Sequence, residues 1–186
     1  MLAELYAFIM GRNKANLGDY TDDRLVIVIY SEKRSRSQRV NRGQNMSPEE
    51  LMRIALAEAK QGDAPFGAAI VKDGQIAIAA HNTVKRDRDP SAHAEINAIR
   101  LLTNKLNTTS LSDYTLYTTC EPCPMCATAC IWAGISEIII GASIKDLIQL
   151  GVPQIDLSCE EIIAKSFRNI KVTKGLLKSE CLSLFK

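Results

Sequence analysis

The chain has 186 residues, 46% of them hydrophobic and 24% charged, which is ordinary for a globular protein and enough to bury one substantial core. A formal net charge of +2 provides no dense basic field for nucleic acid or a membrane surface, and suits a small neutral substrate at least as well. No apolar run approaches the ~20 residues of a membrane span, and the opening MLAELYAFIM is too short for a signal peptide and carries Glu4 where basic residues would be wanted.

The expected location is therefore cytoplasmic, where clustered cysteines serve as metal ligands or catalytic groups more often than as disulfides. Four of the six cysteines fall between Cys120 and Cys130. Residues 1–45 are the least coherent part, with a strand-like LVIVIY at Leu25 to Tyr30 and a basic run from Lys33 to Arg42 that lacks the interleaved aromatics of an RNA-binding surface. The pattern changes at Met46. Ser47 reads as an N-cap, Pro48 as the first helical residue and Glu50 as the partner of a capping box, while Leu51, Ile54, Ala55 and Ala59 line one face. This start predicts an N-terminal extension over 1–45, or an over-long translation start, and a single domain over 46–186.

Two strands joined at Lys72, Asp73 and Gly74 follow, the Asp-Gly pair being a strong hairpin signal. Beyond them the pattern alternates: a helix from about Ala92 to Leu102, a strand at Thr115 to Thr119, a helix from about Pro124 to Trp132, a strand at Glu137 to Ala142, a helix near Lys145 to Leu150, and a strand at Asn169 to Thr173. Alternation after a hairpin implies parallel strands with crossover helices added to an antiparallel pair. The expected fold class is α/β, a three-layer α/β/α sandwich around a mixed sheet.

Two stretches carry chemistry: His93-Ala94-Glu95 and Pro122-Cys123-Pro124-Met125-Cys126, each predicted at a helix N-terminus. One His and two Cys supply three of the four ligands of tetrahedral zinc, and a fourth position left to water marks a catalytic site. Helix N-termini favour thiolates and developing negative charge. Glu95 stands two residues from His93, close enough to move a proton without coordinating the metal. A structural zinc site would need Cys120 or Cys130 as a fourth ligand, and a redox pair at Cys123 and Cys126 gives His93 and Glu95 no role; Cys120 and Cys130 are read instead as small buried residues beside the site.

The H-x-E and P-C-x-x-C stretches match the zinc-deaminase signature. From Pro65 to about Ala142, through PFGAAIVKDG, DPSAHAEINAIR and TLYTTCEPCPMCATACIWAGI, the chain resembles the cytidine deaminase-like superfamily, closest to the branch of small bacterial guanine deaminases and tRNA adenosine deaminases. The resemblance implies a five-stranded mixed sheet, one Zn2+ per subunit on His93, Cys123 and Cys126, Glu95 as proton shuttle, and a homodimer. It also implies a base pocket formed by Phe66, Asn82, the backbone N–H of Ala94 and Trp132. The implied activity is hydrolytic deamination of a nucleobase or nucleoside, foremost a guanine-type purine, with release of ammonia. A tRNA-specific adenosine deaminase, a cytosine or cytidine deaminase and a zinc-binding interaction module are the alternatives. CEPCPMC looks like the guanine enzymes, but Gly151-Val152-Pro153-Gln154 stands where those carry an acidic pair, and SIKDLIQLG where the tRNA enzymes carry Lys-Thr-Gly. Lys85, Arg86 and Arg88 are the basic residues placed to meet an RNA backbone.

Overall fold

The computed structural model describes residues 45–186; the strand-like Leu25–Tyr30 and the basic run Lys33–Arg42 lie outside them. The first helix, α1, spans Pro48–Ala59 and starts as the sequence predicts. The Ser47 hydroxyl accepts from the Glu50 N–H at 3.2 Å, and the Glu50 carboxylate accepts from the Ser47 N–H at 2.8 Å. Its buried face is Leu51, Met52, Ile54, Ala55, Leu56 and Ala59, wider than the four-residue stripe expected.

Strands β1 (Gly67–Lys72) and β2 (Gln75–His81) pair antiparallel across a two-residue turn in which Asp73 and Gly74 both take positive φ, 50° and 68°. That conformation matches the right-handed twist of the strands and is why Asp-Gly works there. After the one-turn helix α2 (Val84–Asp87) come α3 (Ala94–Leu106), β3 (Thr115–Cys120), α4 (Pro124–Ala133) and β4 (Glu137–Ala142). The chain then runs through α5 (Ile144–Gln149), α6 (Cys159–Ala164), β5 (Lys171–Lys174), α7 (Lys178–Leu182) and a closing 3-10 turn at Ser183–Phe185.

The described residues form a five-stranded sheet in the order β2-β1-β3-β4-β5, with β1 antiparallel to both neighbours and β3, β4 and β5 mutually parallel. This is the mixed sheet expected. Period-two alternation divides its side chains: Ala68, Ile70, Leu116, Ile138 and Ile140 face a core shared with α3, α4 and α6, while Ala69, Val71, Tyr117 and Ile139 face one shared with α1 and α7. The second layer sits very close to the strands. A Cβ on Gly67 would collide with the Ala55 carbonyl of α1, and one on Gly141 with the Cys181 sulfur of α7.

Boundaries differ from expectation where caps decide them. The predicted helix start at Ala92 moves to Ala94 because His93 is the N-cap, with extended backbone at φ −71° and ψ 157°. The last strand is Lys171–Lys174 rather than Asn169–Thr173. Helices α2, α6 and α7 had no counterpart in the pattern, being too short to show periodicity, although Ser158-Cys159-Glu160-Glu161 spells a capping box that opens α6.

Candidate metal centre

The site lies where the parallel strands deliver their C-terminal ends, the usual place for a ligand in an α/β sheet. His93 is the N-cap of α3 and Cys123 the N-cap of α4, with Pro124 the first residue of that helix and Cys126 in its first turn. Among the described residues, His93, Cys123 and Cys126 form the one group of three that could hold a metal ion, their ligand atoms all within 4.8 Å of one another. The Cys123 and Cys126 sulfurs stand 3.7 Å and 3.6 Å from His93 Nδ1. Two ligands at tetrahedral angles on zinc, with Zn–S of about 2.3 Å and Zn–N of about 2.0 Å, lie about 3.5 Å apart, so the donor set fits.

Electrostatics favour the same use. The Cys123 thiol is lowered to about 4, first by the Cys126 side chain as hydrogen-bond donor and then by His93, against a smaller opposing effect of burial. Cys126 moves upward because it keeps the hydrogen that it shares with Cys123. The His93 imidazole is raised, mainly by the Cys123 sulfur. The protein alone therefore stores one thiolate here, and a divalent cation would draw out the second proton.

Glu95 is buried in the first turn of α3, and burial pushes its carboxyl up, with the Cys123 sulfur acting in the same direction. The Thr118 hydroxyl reaches Glu95 Oε1 at 3.4 Å but is better placed at 2.8 Å on the Cys120 carbonyl oxygen. The Cys126 side chain also hydrogen-bonds this carboxyl, so Glu95 is held directly against the donor set. Cys120 and Cys130 are buried, and burial pushes both thiols well up; neither joins the donor set.

The four residues expected around a base are each placed differently. Asn82 is buried at the end of β2, and its Oδ1 accepts from the Val84 N–H at 3.2 Å, a turn contact. Ala94 opens α3, where a helix leaves its N–H without an intrahelical acceptor. Phe66 is half-buried between the two cores, edge-on to Phe185 with ring centroids 5.4 Å apart. Trp132 is 70% exposed on α4, its ring 5.0 Å from that of Phe167.

Several supporting residues escaped the motif reading. The Asn97 side-chain amide donates to the His81 carbonyl at 2.9 Å, the Thr83 hydroxyl at 2.8 Å and the Ala92 carbonyl at 3.3 Å, bolting the segment after β2 to the residue before His93. His81 Nδ1 meets the buried Glu58 carboxylate at 2.7 Å, and Arg86 Nη1 lies 3.3 Å from His81 Nε2. A guanidinium has no acceptor, so Nε2 accepts and the ring hydrogen sits on Nδ1. Arg86 also donates to Asp63 at 2.9 Å and to the Gln61 carbonyl at 2.8 Å, so of the three loop cations available for phosphate, this one is spent inside the protein. Asp63 and Gln61 lie more than twenty residues away, beyond any local pattern.

Residues 45–142 match the family model of the cytidine and deoxycytidylate deaminase zinc-binding region. The chain belongs to this family. It is accordingly a deaminase, a hydrolase acting on C–N bonds, and the non-enzymatic zinc module is set aside. Similar members include the tRNA-specific adenosine deaminase of Aquifex aeolicus, 44% identical over 101 residues that span 52% of this chain and 67% of the relative. The guanine deaminase of Bacillus subtilis is 40% identical over 111 residues, 57% of this chain and 71% of that one. Among solved structures, the guanine deaminase of Nitrosomonas europaea superimposes with a TM-score of 0.65 at 32% identity, covering 75% of this chain and 83% of its own. The deaminase family and its fold are shared by all three, while their substrates differ.

Proposed function

We propose that this deaminase removes the amino group of a free purine base of the guanine type as ammonia, using one zinc ion per subunit held by His93, Cys123 and Cys126. The observation that carries the reading is the buried Glu95 carboxyl, which stands against Cys126 and in the first turn of the helix that His93 caps. Zinc in such a site supplies an open fourth position and lowers the pKa of water there toward ~7. Glu95 takes a proton from the attacking water and passes it to the ring nitrogen beside the amino-bearing carbon, as the new oxygen–carbon bond forms. Glu95 then carries the proton of the new hydroxyl to the amino group, the C–N bond breaks, and ammonia leaves as that oxygen becomes the ring carbonyl. Asn82 and the Ala94 N–H would orient the base, with Phe66 as an aromatic wall; Trp132, exposed on the outer side of α4, does not wall a pocket within this chain among the described residues.

A free base is favoured over a tRNA loop because Arg86 is engaged internally, leaving Lys85 and Arg88 as the loop's remaining cations among the described residues. The 44% identity to a tRNA-specific adenosine deaminase favours the second reading, adenosine in tRNA. Ammonia release measured over guanine, guanosine, adenine, cytosine and cytidine, beside an inosine assay on tRNA, separates them. Guanine turnover is expected; inosine formation in tRNA with no turnover of any free base would overturn the free-purine assignment.

A further inference from the structure

Glu121 follows the last residue of β3, and its backbone N–H extends the strand pairing by donating to the Ala142 carbonyl at 2.8 Å. Its side chain is 2% exposed. One carboxylate oxygen accepts from the Ile144 N–H at 3.0 Å; the other accepts from the Cys159 N–H at 3.1 Å and lies 3.3 Å from Lys174 Nζ. Ile144 is the first residue of α5 and Cys159 the first of α6, so a single carboxylate takes up an N–H that each helix leaves free. Lys174, which also meets Glu160 at 2.6 Å, brings the balancing charge from β5. A carboxylate this deeply buried is tolerated only with such partners.

Capping two short helices does not by itself need a shared residue, since Ser143 and Ser158 already cap both with their hydroxyls. What one carboxylate adds is a fixed distance between both helix starts and the end of β3. The next residues are Pro122, with its restricted φ, and the ligand Cys123. We infer that Glu121 is a positioning residue for the metal centre: clamped from behind by α5, α6 and Lys174, it holds the Glu121–Cys123 turn so that the Cys123 sulfur meets His93 and Cys126 at ligand distance. This rests on the reading of His93, Cys123 and Cys126 as the metal site.

The test uses the full chain with Co2+ as the probe, its affinity measured by competition with a chromophoric chelator and its coordination by visible absorption, at a temperature where circular dichroism shows each variant folded. Glu121→Gln keeps the shape but turns a donor toward one of the two N–H groups. It should lose about tenfold in Co2+ affinity, the low end for residues supporting metal ligands, and shift the d–d bands. Glu121→Asp, a methylene too short to reach both amides, should fall between it and the wild type. Leu111→Ala, in the fully buried core, should lower Tm without changing affinity. Wild-type affinity and spectrum in Glu121→Gln, even with a lowered Tm, overturn the inference. If Glu121→Gln does not fold, Lys174→Met opens the same clamp from its more exposed side and should weaken Co2+ severalfold; unchanged affinity there overturns it as well. A wild-type protein lacking thiolate-to-cobalt charge transfer would remove the metal centre itself, and the inference with it.

Discussion

At the scale of single residues, the site separates holding a metal from moving protons. His93, Cys123 and Cys126 form the donor set, whereas Glu95 lies beside it, touched by Cys126 and, at 3.4 Å, by the Thr118 hydroxyl. Glu95→Ala should therefore retain zinc, read by elemental analysis, while ammonia release falls by at least about 10²-fold, the usual contribution of a positioned acid–base group. Zinc lost from that variant would show that the carboxylate belongs to the ligand set. The grouping of His93, Cys123 and Cys126 was readable in the sequence because H-x-E and C-x-x-C are local patterns at helix starts. Asn97, Glu58 and Glu121 were not, because each acts on groups that only folding brings near.

At the scale of elements, the region after β4 is anchored by charge at a helix start. Asp146 closes the capping box of α5 with Ser143 and receives Lys178 Nζ, from α7, at 2.8 Å. Burial alone would raise this carboxyl, but Lys178 and the Ser143 hydroxyl and N–H outweigh it and hold it at about 2, below its ordinary 3.8. A value depressed in the folded state means the stabilisation is complete above the unfolded value near 3.8 and disappears as pH falls through about 2. Asp146→Asn should lower stability at pH 7 by about 1 kcal/mol, the half-exposed Lys178 partner being screened by solvent. In urea titrations the gap to the wild type should narrow between pH 4 and pH 2; a constant gap would assign the loss to packing instead. Here Ser143-x-x-Asp146 was a visible local signal, while its tie to α7 was a matter of tertiary contact.

At the scale of the whole molecule, α4 joins the metal centre to an open apolar surface. Its inner face carries Cys126, Ala127, Cys130 and Ile131 into the core, and Trp132 stands on the outside against Phe167, the two 70% and 65% exposed. Paired aromatics left in water in this way suit association with a second copy, the homodimer expected from the family resemblance. Sedimentation should show a dimer that Trp132→Ser weakens at least tenfold; a wild-type monomer at micromolar concentration would leave Trp132 to some other role. By itself the sequence determined the α/β alternation, the hairpin turn, the cap of α1, the start of α4 and the His93, Cys123 and Cys126 donor group, because periodicity, turn chemistry and ligand spacing are properties of neighbouring residues. Only the tertiary structure decided that Arg86 is spent on Asp63 and Gln61, that Trp132 faces outward, and that Glu121 joins β3 to two helices. Those outcomes depend on which distant groups share a buried space, and a linear pattern carries no measure of that distance.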